Sequence, residues 1–176
     1  NYSCCMAVKR LAALLSARGQ TIAVAETSAG GAIASKLLGI SGASSFFCGG
    51  VICYTADSKK VLLQLDCEKS APTATERHAI ELASAIRSRL KSDWGIGESG
   101  VAGPSKNSRG VTPGVCAVAV VGPEGFQRAQ MLWPDSALSA ADAYGQPPTV
   151  ERTDAMASFS DAALRLAVDV LEQCKQ

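Results

Sequence analysis

The sequence lacks the residues that most metal centres and catalytic triads require. His78 is its single histidine, so a multi-histidine metal centre is excluded and any triad would depend on that one ring. It falls within a predicted helix, where we expect a hydrogen-bonded structural histidine. The seven cysteines include no Cys-x-x-Cys pair and are odd in number, which argues against a zinc ribbon and a complete disulfide framework. We therefore expect no metal site, and buried cysteines in a reducing, cytoplasmic compartment.

Aromatic residues and excess charge are also scarce. Aromatics make up 5% of the sequence, and 17 Lys and Arg against 16 Asp and Glu leave a net charge of +1. Stacking platforms and basic surfaces for nucleic acid are therefore not expected. No run of about 18 uncharged apolar residues is present, so no membrane partner is expected. The partner predicted is a small molecule, and a homo-oligomer is left open.

What the sequence does contain is an apolar share of 47% spread over 176 residues, which predicts a single domain covering residues 1–176. Apolar spacing predicts helices over 6–19, 32–38, 57–63 and 152–172, and a capping box at 73–76 predicts the start of another long helix that runs to about residue 91. Strands are predicted over 21–25, 45–54, 94–98, 115–121 and 127–133, with a kink or close approach at Gly49 and Gly50. The segment 134–149 is predicted to be an irregular loop. This alternation predicts an α/β domain with three layers, α/β/α, around a mixed sheet.

The segment from Glu26 to Gly31 joins a predicted strand to a predicted helix. Thr27 and Ser28 stand there beside two glycines, an arrangement that suits a phosphate, a carboxamide oxygen or a developing oxyanion. The alternative is an ordinary helix cap, which this segment alone favours because Ser and Thr caps are common.

Two further segments follow predicted strands. Tyr54 and Lys59 come after the second strand, and a lysine there can act as a base if its surroundings lower its pKa. The alternative is a packed tyrosine and a solvated lysine. Ser99, Gly100 and Gly103 come after the third predicted strand, where they can line a ligand or simply form a turn. P-loop spacing is absent, and we expect no cofactor.

In this order the segments resemble the C-terminal domain of the competence/damage-inducible protein CinA, the nicotinamide mononucleotide deamidase family. Residues 25–31 resemble its A-E-S-[CT]-T-G-G motif, and residues 42–50 resemble G-S-S-x-x-F-x-G-G. Tyr54 and Lys59 follow at the family spacing, and residues 99–104 resemble S-G-I-A-G-P. The resemblance covers about residues 8 to 172.

The resemblance implies hydrolysis of the carboxamide of nicotinamide mononucleotide by a hydroxyl and a lysine, without a metal. Carried over by position, the nucleophile is Thr27, the base is Lys59 and Tyr54 lies beside them, while Ser28 offers a second hydroxyl. N–H groups at the helix start would hold the oxyanion. Arg152 would bind the phosphate or the acyl oxygen. The residues assigned to substrate binding are Glu26, Gly30, Gly31, Gly49, Gly50, Ser99, Gly100, Gly103 and Arg152.

The sequence departs from the family at several of these positions. Thr27 replaces a serine, and its methyl group restricts χ1 and crowds attack. Ala29 replaces a threonine. The family's F-P-G-D-R motif is split between residues 133–134 and 151–152, which we interpret as an insertion that forms a lid. These departures leave open an alternative function, a CinA-like nucleotide-binding or regulatory protein that has lost catalysis.

Overall fold

The structure, a computed structural model, describes residues 4–66, 68–134 and 151–174. The strands are β1 (Ile22–Glu26), β2 (Phe47–Ile52), β3 (Trp94–Gly100), β4 (Cys116–Val121) and β5 (Gln127–Leu132). The helices are α1 (Cys4–Arg18), α2 (Ala32–Leu38), α3 (Ala56–Leu63), α4 (Glu76–Leu90) and α5 (Arg152–Gln173). The strands form one sheet in the order β2-β1-β3-β4-β5, parallel across β2, β1 and β3 and antiparallel across β3, β4 and β5.

Different helices cover the two faces of this sheet. Along β1, Ile22 and Val24 belong to the buried cluster formed with α1, α2 and α5. Ala23 and Ala25 belong to a second cluster, formed with α3 and α4. Such alternation is typical of a strand that is buried on both faces. The prediction of an α/β/α domain with a mixed sheet is confirmed.

Helix α4 packs unusually close to the sheet because β3 carries glycine on that face. A Cβ atom at Gly97 would lie 2.0 Å from the main-chain oxygen of Ala79. The same contact places the first turns of α4 over the carboxyl end of β3. The N-cap of α4 is Thr75, whose side chain accepts a hydrogen bond from the N–H of His78. The helix therefore begins two residues later than a capping box with Thr73 as its N-cap predicts.

The predicted irregularity in the second strand is confirmed. The pairing with β1 shifts between Ile22, opposite Phe47, and Ala23, opposite Gly49, so one residue of β2 is extra. A Cβ atom at Gly50 would lie 3.0 Å from a main-chain oxygen of β1. Glycine therefore allows the two strands to approach each other.

Two further predictions concern the lid and the absence of a membrane partner. The proposed lid lies outside the described residues, which stop at Pro134 and resume at Glu151. Among the helices that the structure describes, none has both the length and the apolar character needed to cross a bilayer.

Candidate functional site

Three strands deliver the sequence-predicted segments to one edge of the sheet. Because β1, β2 and β3 are parallel, their carboxyl ends lie at the same edge. The turn 27–31 follows β1, the segment 53–55 follows β2, and the loop 101–104 follows β3. Ligands of open α/β sheets commonly bind at such an edge. The polar groups that gather there are therefore the candidates for a functional site.

Glu26 ends β1 and is 1% exposed. Its Oε2 atom accepts hydrogen bonds from the N–H groups of Gly31 at 2.9 Å and Ile33 at 3.0 Å. Its Oε1 atom accepts from the N–H of Ala34 at 2.8 Å. Glu26 therefore caps α2 from the preceding strand, and the N-cap residue Gly31, with φ of +96°, makes no side-chain cap of its own.

Glu98, on β3, is completely buried and holds the turn that follows β1. Its Oε2 atom accepts from the N–H groups of Thr27 at 2.9 Å and Ala29 at 2.8 Å. Its Oε1 atom accepts from the hydroxyl of Ser28 and, at 3.4 Å, from the thiol of Cys116. The sequence analysis did not select Glu98. The available signal was a lone carboxylate within a strand of small and apolar residues.

These two carboxylates correct the expected oxyanion site. The N–H groups of Thr27, Ala29, Gly31, Ile33 and Ala34 all donate to carboxylate oxygens of the chain itself. The helix-start N–H groups predicted to receive an oxyanion therefore already have acceptors. A buried carboxylate acceptor compensates them as an external anion would.

Burial determines the ionisation of the groups around this turn. Burial raises the pKa of Glu26, the charge of Glu98 raises it further, and the three N–H donors act in the opposite direction. Burial also raises the pKa of the Cys116 thiol, and the neighbouring Glu98 carboxylate adds to that effect. Cys116 therefore remains a thiol that donates a hydrogen bond, and a buried thiol of this kind is chemically inert.

The two candidate hydroxyls have different surroundings. Thr27 is 7% exposed, and its Oγ1 atom donates to the main-chain oxygen of Glu98 at 3.2 Å. Ser28 is 4% exposed and donates to the Glu98 carboxylate. The Ser28 Oγ atom also lies 2.8 Å from the position that a Cβ atom at Gly100 would occupy. Ser28 is therefore enclosed between β3 and α5, whereas the Thr27 hydroxyl makes one long hydrogen bond.

Lys59 lies beside His78 on the other face of the sheet. Leu63 of α3 and Leu82 of α4 share a buried cluster. Lys59 lies one helical turn before Leu63, and His78 lies one helical turn before Leu82. Lys59 is 5% exposed, and its ammonium group makes no ion pair or hydrogen bond with any residue of the described ranges. A buried lysine without a carboxylate partner is uncommon.

His78 is 2% exposed, and neither ring nitrogen has a hydrogen-bond partner within the described part of the chain. Its Nδ1 atom lies 3.6 Å from the carboxylate of Glu81, beyond hydrogen-bond distance. Burial lowers the pKa of His78, the positive charge of Lys59 lowers it further, and Glu81 opposes both effects. The expectation of a hydrogen-bonded structural histidine is therefore wrong.

Arg152 connects the loops that follow β2 and β3. It donates to the main-chain oxygen of Gly103 at 2.6 Å and to the hydroxyl of Tyr54 at 3.3 Å. Met156, one turn further along α5, lies 2.6 Å from the position of a Cβ atom at Gly30, where φ is +66°. Glycine at position 30 thus lets α5 approach the turn after β1, and this approach brings Arg152 to the strand-end edge.

The remaining predicted binding residues take part in the fold. Gly49 and Gly50 lie in the middle of β2, so the structure does not bring them to the strand ends. Ser99 is buried, and its Oγ atom accepts from the N–H of Ala74 at 3.0 Å. Gly100 provides the space that Ser28 occupies. Across the described ranges, no group of three or more His, Cys, Asp or Glu residues could hold a metal ion.

Comparison with solved structures shows the fold. The competence damage-inducible protein A from Klebsiella pneumoniae subsp. pneumoniae MGH 78578 superimposes with a TM-score of 0.83, covers 99% of this chain and 100% of its own, and is 22% identical. The CinA superfamily protein from Enterobacter cloacae gives a TM-score of 0.82 at 21% identity and covers 97% and 94%. At this level of identity the likeness concerns the fold alone.

Sequence comparison identifies the family. A CinA-like protein from Acaryochloris marina (strain MBIC 11017) is 38% identical over 116 residues, which are 65% of this chain and 28% of that protein. A CinA-like protein from Synechococcus sp. (strain RCC307) is 40% identical over 126 residues, 69% of this chain and 30% of that protein. The chain therefore spans less than a third of the length of these relatives. The family model of the CinA C-terminal domain matches residues 6–139. This chain belongs to the CinA C-terminal domain family.

Proposed function

We propose that the chain hydrolyses the carboxamide of nicotinamide mononucleotide to nicotinate mononucleotide and ammonia. The observation that carries this proposal is Lys59, which is buried in α3, the helix that follows the carboxyl end of β2, and whose ammonium group has no anionic partner within the described residues. The family resemblance assigns to a lysine at this position the transfer of a proton from the attacking hydroxyl group. Thr27 supplies a hydroxyl at the same edge, and Arg152 supplies a guanidinium that can pair with a phosphate.

The reaction proceeds by acyl transfer. Thr27 Oγ1 attacks the carboxamide carbon while its proton passes to Lys59, and the tetrahedral intermediate collapses to an ester as the proton leaves with ammonia. Water then hydrolyses the ester and restores the threonine hydroxyl. The N–H groups of Ser28 and Gly30 donate to no acceptor in the described part of the chain, and we assign the oxyanion to them.

The second candidate is a protein that binds the nucleotide without turnover. Glu98 favours it, because its carboxylate occupies N–H groups of the turn that the family resemblance assigns to the oxyanion. The methyl group of Thr27, which crowds attack, favours it as well. Ammonia release separates the two candidates, since both predict saturable binding and only the enzyme forms ammonia.

The test is to incubate the chain with nicotinamide mononucleotide and to measure ammonia. Thr27→Ala and Lys59→Met should each lower kcat by about 100-fold or more, since each removes a group that reacts. Lys60→Met is the matched control, because Lys60 is the exposed neighbour of Lys59 on α3. It should change kcat less than about twofold, as surface substitutions usually have small effects. Saturable binding without ammonia would favour the second candidate, and full activity of Thr27→Ala would exclude Thr27 as the nucleophile.

A further inference from the structure

Glu98 contacts every residue of the turn from Thr27 to Ala29. A buried carboxylate is strongly unfavourable unless hydrogen bonds or a cation compensate it. None of the ion pairs in the described ranges involves Glu98. Its polar partners are the N–H groups of Thr27 and Ala29, the hydroxyl of Ser28 and the thiol of Cys116. The stability of the carboxylate and the conformation of the turn therefore depend on each other.

The direction of these hydrogen bonds separates the two hydroxyls. Ser28 is the donor in its hydrogen bond with Oε1 of the Glu98 carboxylate. The hydroxyl proton of Ser28 thereby points at the Glu98 carboxylate. The Oγ atom of Ser28 faces the space left by Gly100 inside the fold. Ser28 is consequently a poor candidate for attack on a substrate at the strand-end edge.

Thr27, by contrast, is held at two points by the same residue. Its N–H donates to the Glu98 carboxylate at 2.9 Å, and its hydroxyl donates to the Glu98 main-chain oxygen at 3.2 Å. The first contact fixes the backbone of Thr27 against β3. The second is long for a bond from a hydroxyl, so the Thr27 proton is the easier of the two to transfer.

We propose that Glu98 is a positioning residue of the amidohydrolase site. It holds the turn by accepting hydrogen bonds from the N–H groups of Thr27 and Ala29, and it also accepts the hydrogen bond of the Ser28 hydroxyl. Thr27 is thereby left as the attacking hydroxyl. This inference rests on the proposed function. It differs from a role for Glu98 as the general base of Ser28, in which Ser28 would be the nucleophile and the charge of Glu98 would be essential.

Two substitutions at position 98 separate these roles. In Glu98→Gln the side-chain oxygen can keep the two N–H donors, while its amide group donates to Ser28, which then becomes an acceptor. We expect kcat to fall less than tenfold, with KM changed less than threefold. In Glu98→Leu both N–H groups lose their acceptor, and we expect kcat to fall at least a hundredfold with a similarly small change in KM. If Glu98 were the base, both variants would be equally inactive.

Ser28→Ala and Cys116→Ala complete the set. Ser28→Ala should lower kcat less than tenfold, and a loss above a hundredfold would identify Ser28 as the nucleophile and overturn the proposal. Cys116→Ala removes only the thiol donor at 3.4 Å from the same carboxylate. As the matched control it should change kcat less than twofold.

Amide hydrogen exchange measured by NMR provides a readout that needs no turnover. The N–H groups of Thr27 and Ala29 should be protected in the wild type, stay within about threefold of that protection in Glu98→Gln, and exchange at least tenfold faster in Glu98→Leu. Equal protection in all three proteins would overturn the positioning role. A wild type that shows this exchange pattern but forms no ammonia would refute the proposed function and retain Glu98 as the holder of the turn. Should Glu98→Leu not fold, the rescue by Glu98→Gln and the result for Ser28→Ala decide the question.

Discussion

The close approach of α4 to the sheet can be tested by adding one methyl group. In Gly97→Ala the new Cβ atom would lie 2.0 Å from the main-chain oxygen of Ala79 and 2.6 Å from the main-chain nitrogen of Ala83. Real Cβ contacts essentially never fall below 3.0 Å, so α4 must move away by about 1 Å. Main-chain atoms of a helix cannot turn aside as the end of a flexible side chain can.

The size of the effect follows from what α4 buries. Leu82 and Ile86 are at most 1% exposed, and burial of each side chain contributes roughly 1.5–3 kcal/mol. A gap of 0.5–1 Å forfeits about a quarter to a half of each contact energy. Together with the strain of overpacking, we expect Gly97→Ala to lower the free energy of unfolding by about 3 kcal/mol. For a chain of this length that corresponds to a fall in Tm of roughly 6–12 °C.

Urea unfolding followed by tryptophan fluorescence measures this loss, because Trp94 is 2% exposed in the folded chain. Gly39→Ala is the control, since Gly39 has φ of −66° and a Cβ atom there would meet nothing closer than 3.4 Å. It should leave stability unchanged or raise it by up to about 1 kcal/mol. If Gly97→Ala is as stable as Gly39→Ala, α4 does not pack on β3 in the way the structure describes.

Three further predictions concern charged and titratable groups. Because the pKa of His78 is lowered from 6.5, its contribution to stability is present above that pH and is lost as the pH falls through the lowered value. As the pH falls from 7.5 to 5, the free energy of unfolding of His78→Leu should decrease less than that of the wild type. Equal decreases would show that burial does not lower the pKa of the His78 ring. Because the pKa of Glu26 is raised from 4.5, the stability of the wild type relative to Glu26→Gln should increase as the pH falls from 7 towards 4.5, as urea unfolding at each pH would show. A constant or decreasing difference would contradict the raised pKa. Arg152→Lys cannot hold both Gly103 and Tyr54 and should weaken binding of nicotinamide mononucleotide by about tenfold in calorimetry with Tm unchanged; an equal Kd would remove Arg152 from the site.

The order and type of the helices and strands could be predicted because each depends on the local spacing of apolar residues. The alternation along β1 and the apolar run of β4 reflect burial on both faces. The predicted capping box places the start of α4 two residues too early, because the side chains of Thr73 and Thr75 can both cap a helix. A contact distant in sequence decides between them, since the N–H of Ala74 donates to Ser99 and Ala74 has φ of +57°.

The site was predictable only where the sheet itself assembles it. Parallel strands bring Thr27, Tyr54 and the loop after β3 to one edge, and the motif spacing is enough to predict this. The role of Glu98 could not be predicted, because its partner Thr27 lies 71 residues away in the sequence and the pairing depends on strand register. Lys59 and His78 are likewise neighbours only through the packing of α3 on α4.

Under the proposed function, the two buried carboxylates also limit how the nucleotide can be oriented. In many α/β proteins a phosphate binds to the free N–H groups at a helix start. Here Glu26 and Glu98 already satisfy those groups and place two acidic side chains directly behind the turn. A phosphate beside them would meet like charges, and the N–H groups of Ser28 and Gly30 are the donors of this turn that remain for it within the described residues. The phosphate is therefore expected at Arg152, which leaves the uncharged carboxamide to lie against Thr27, the orientation that the proposed reaction needs.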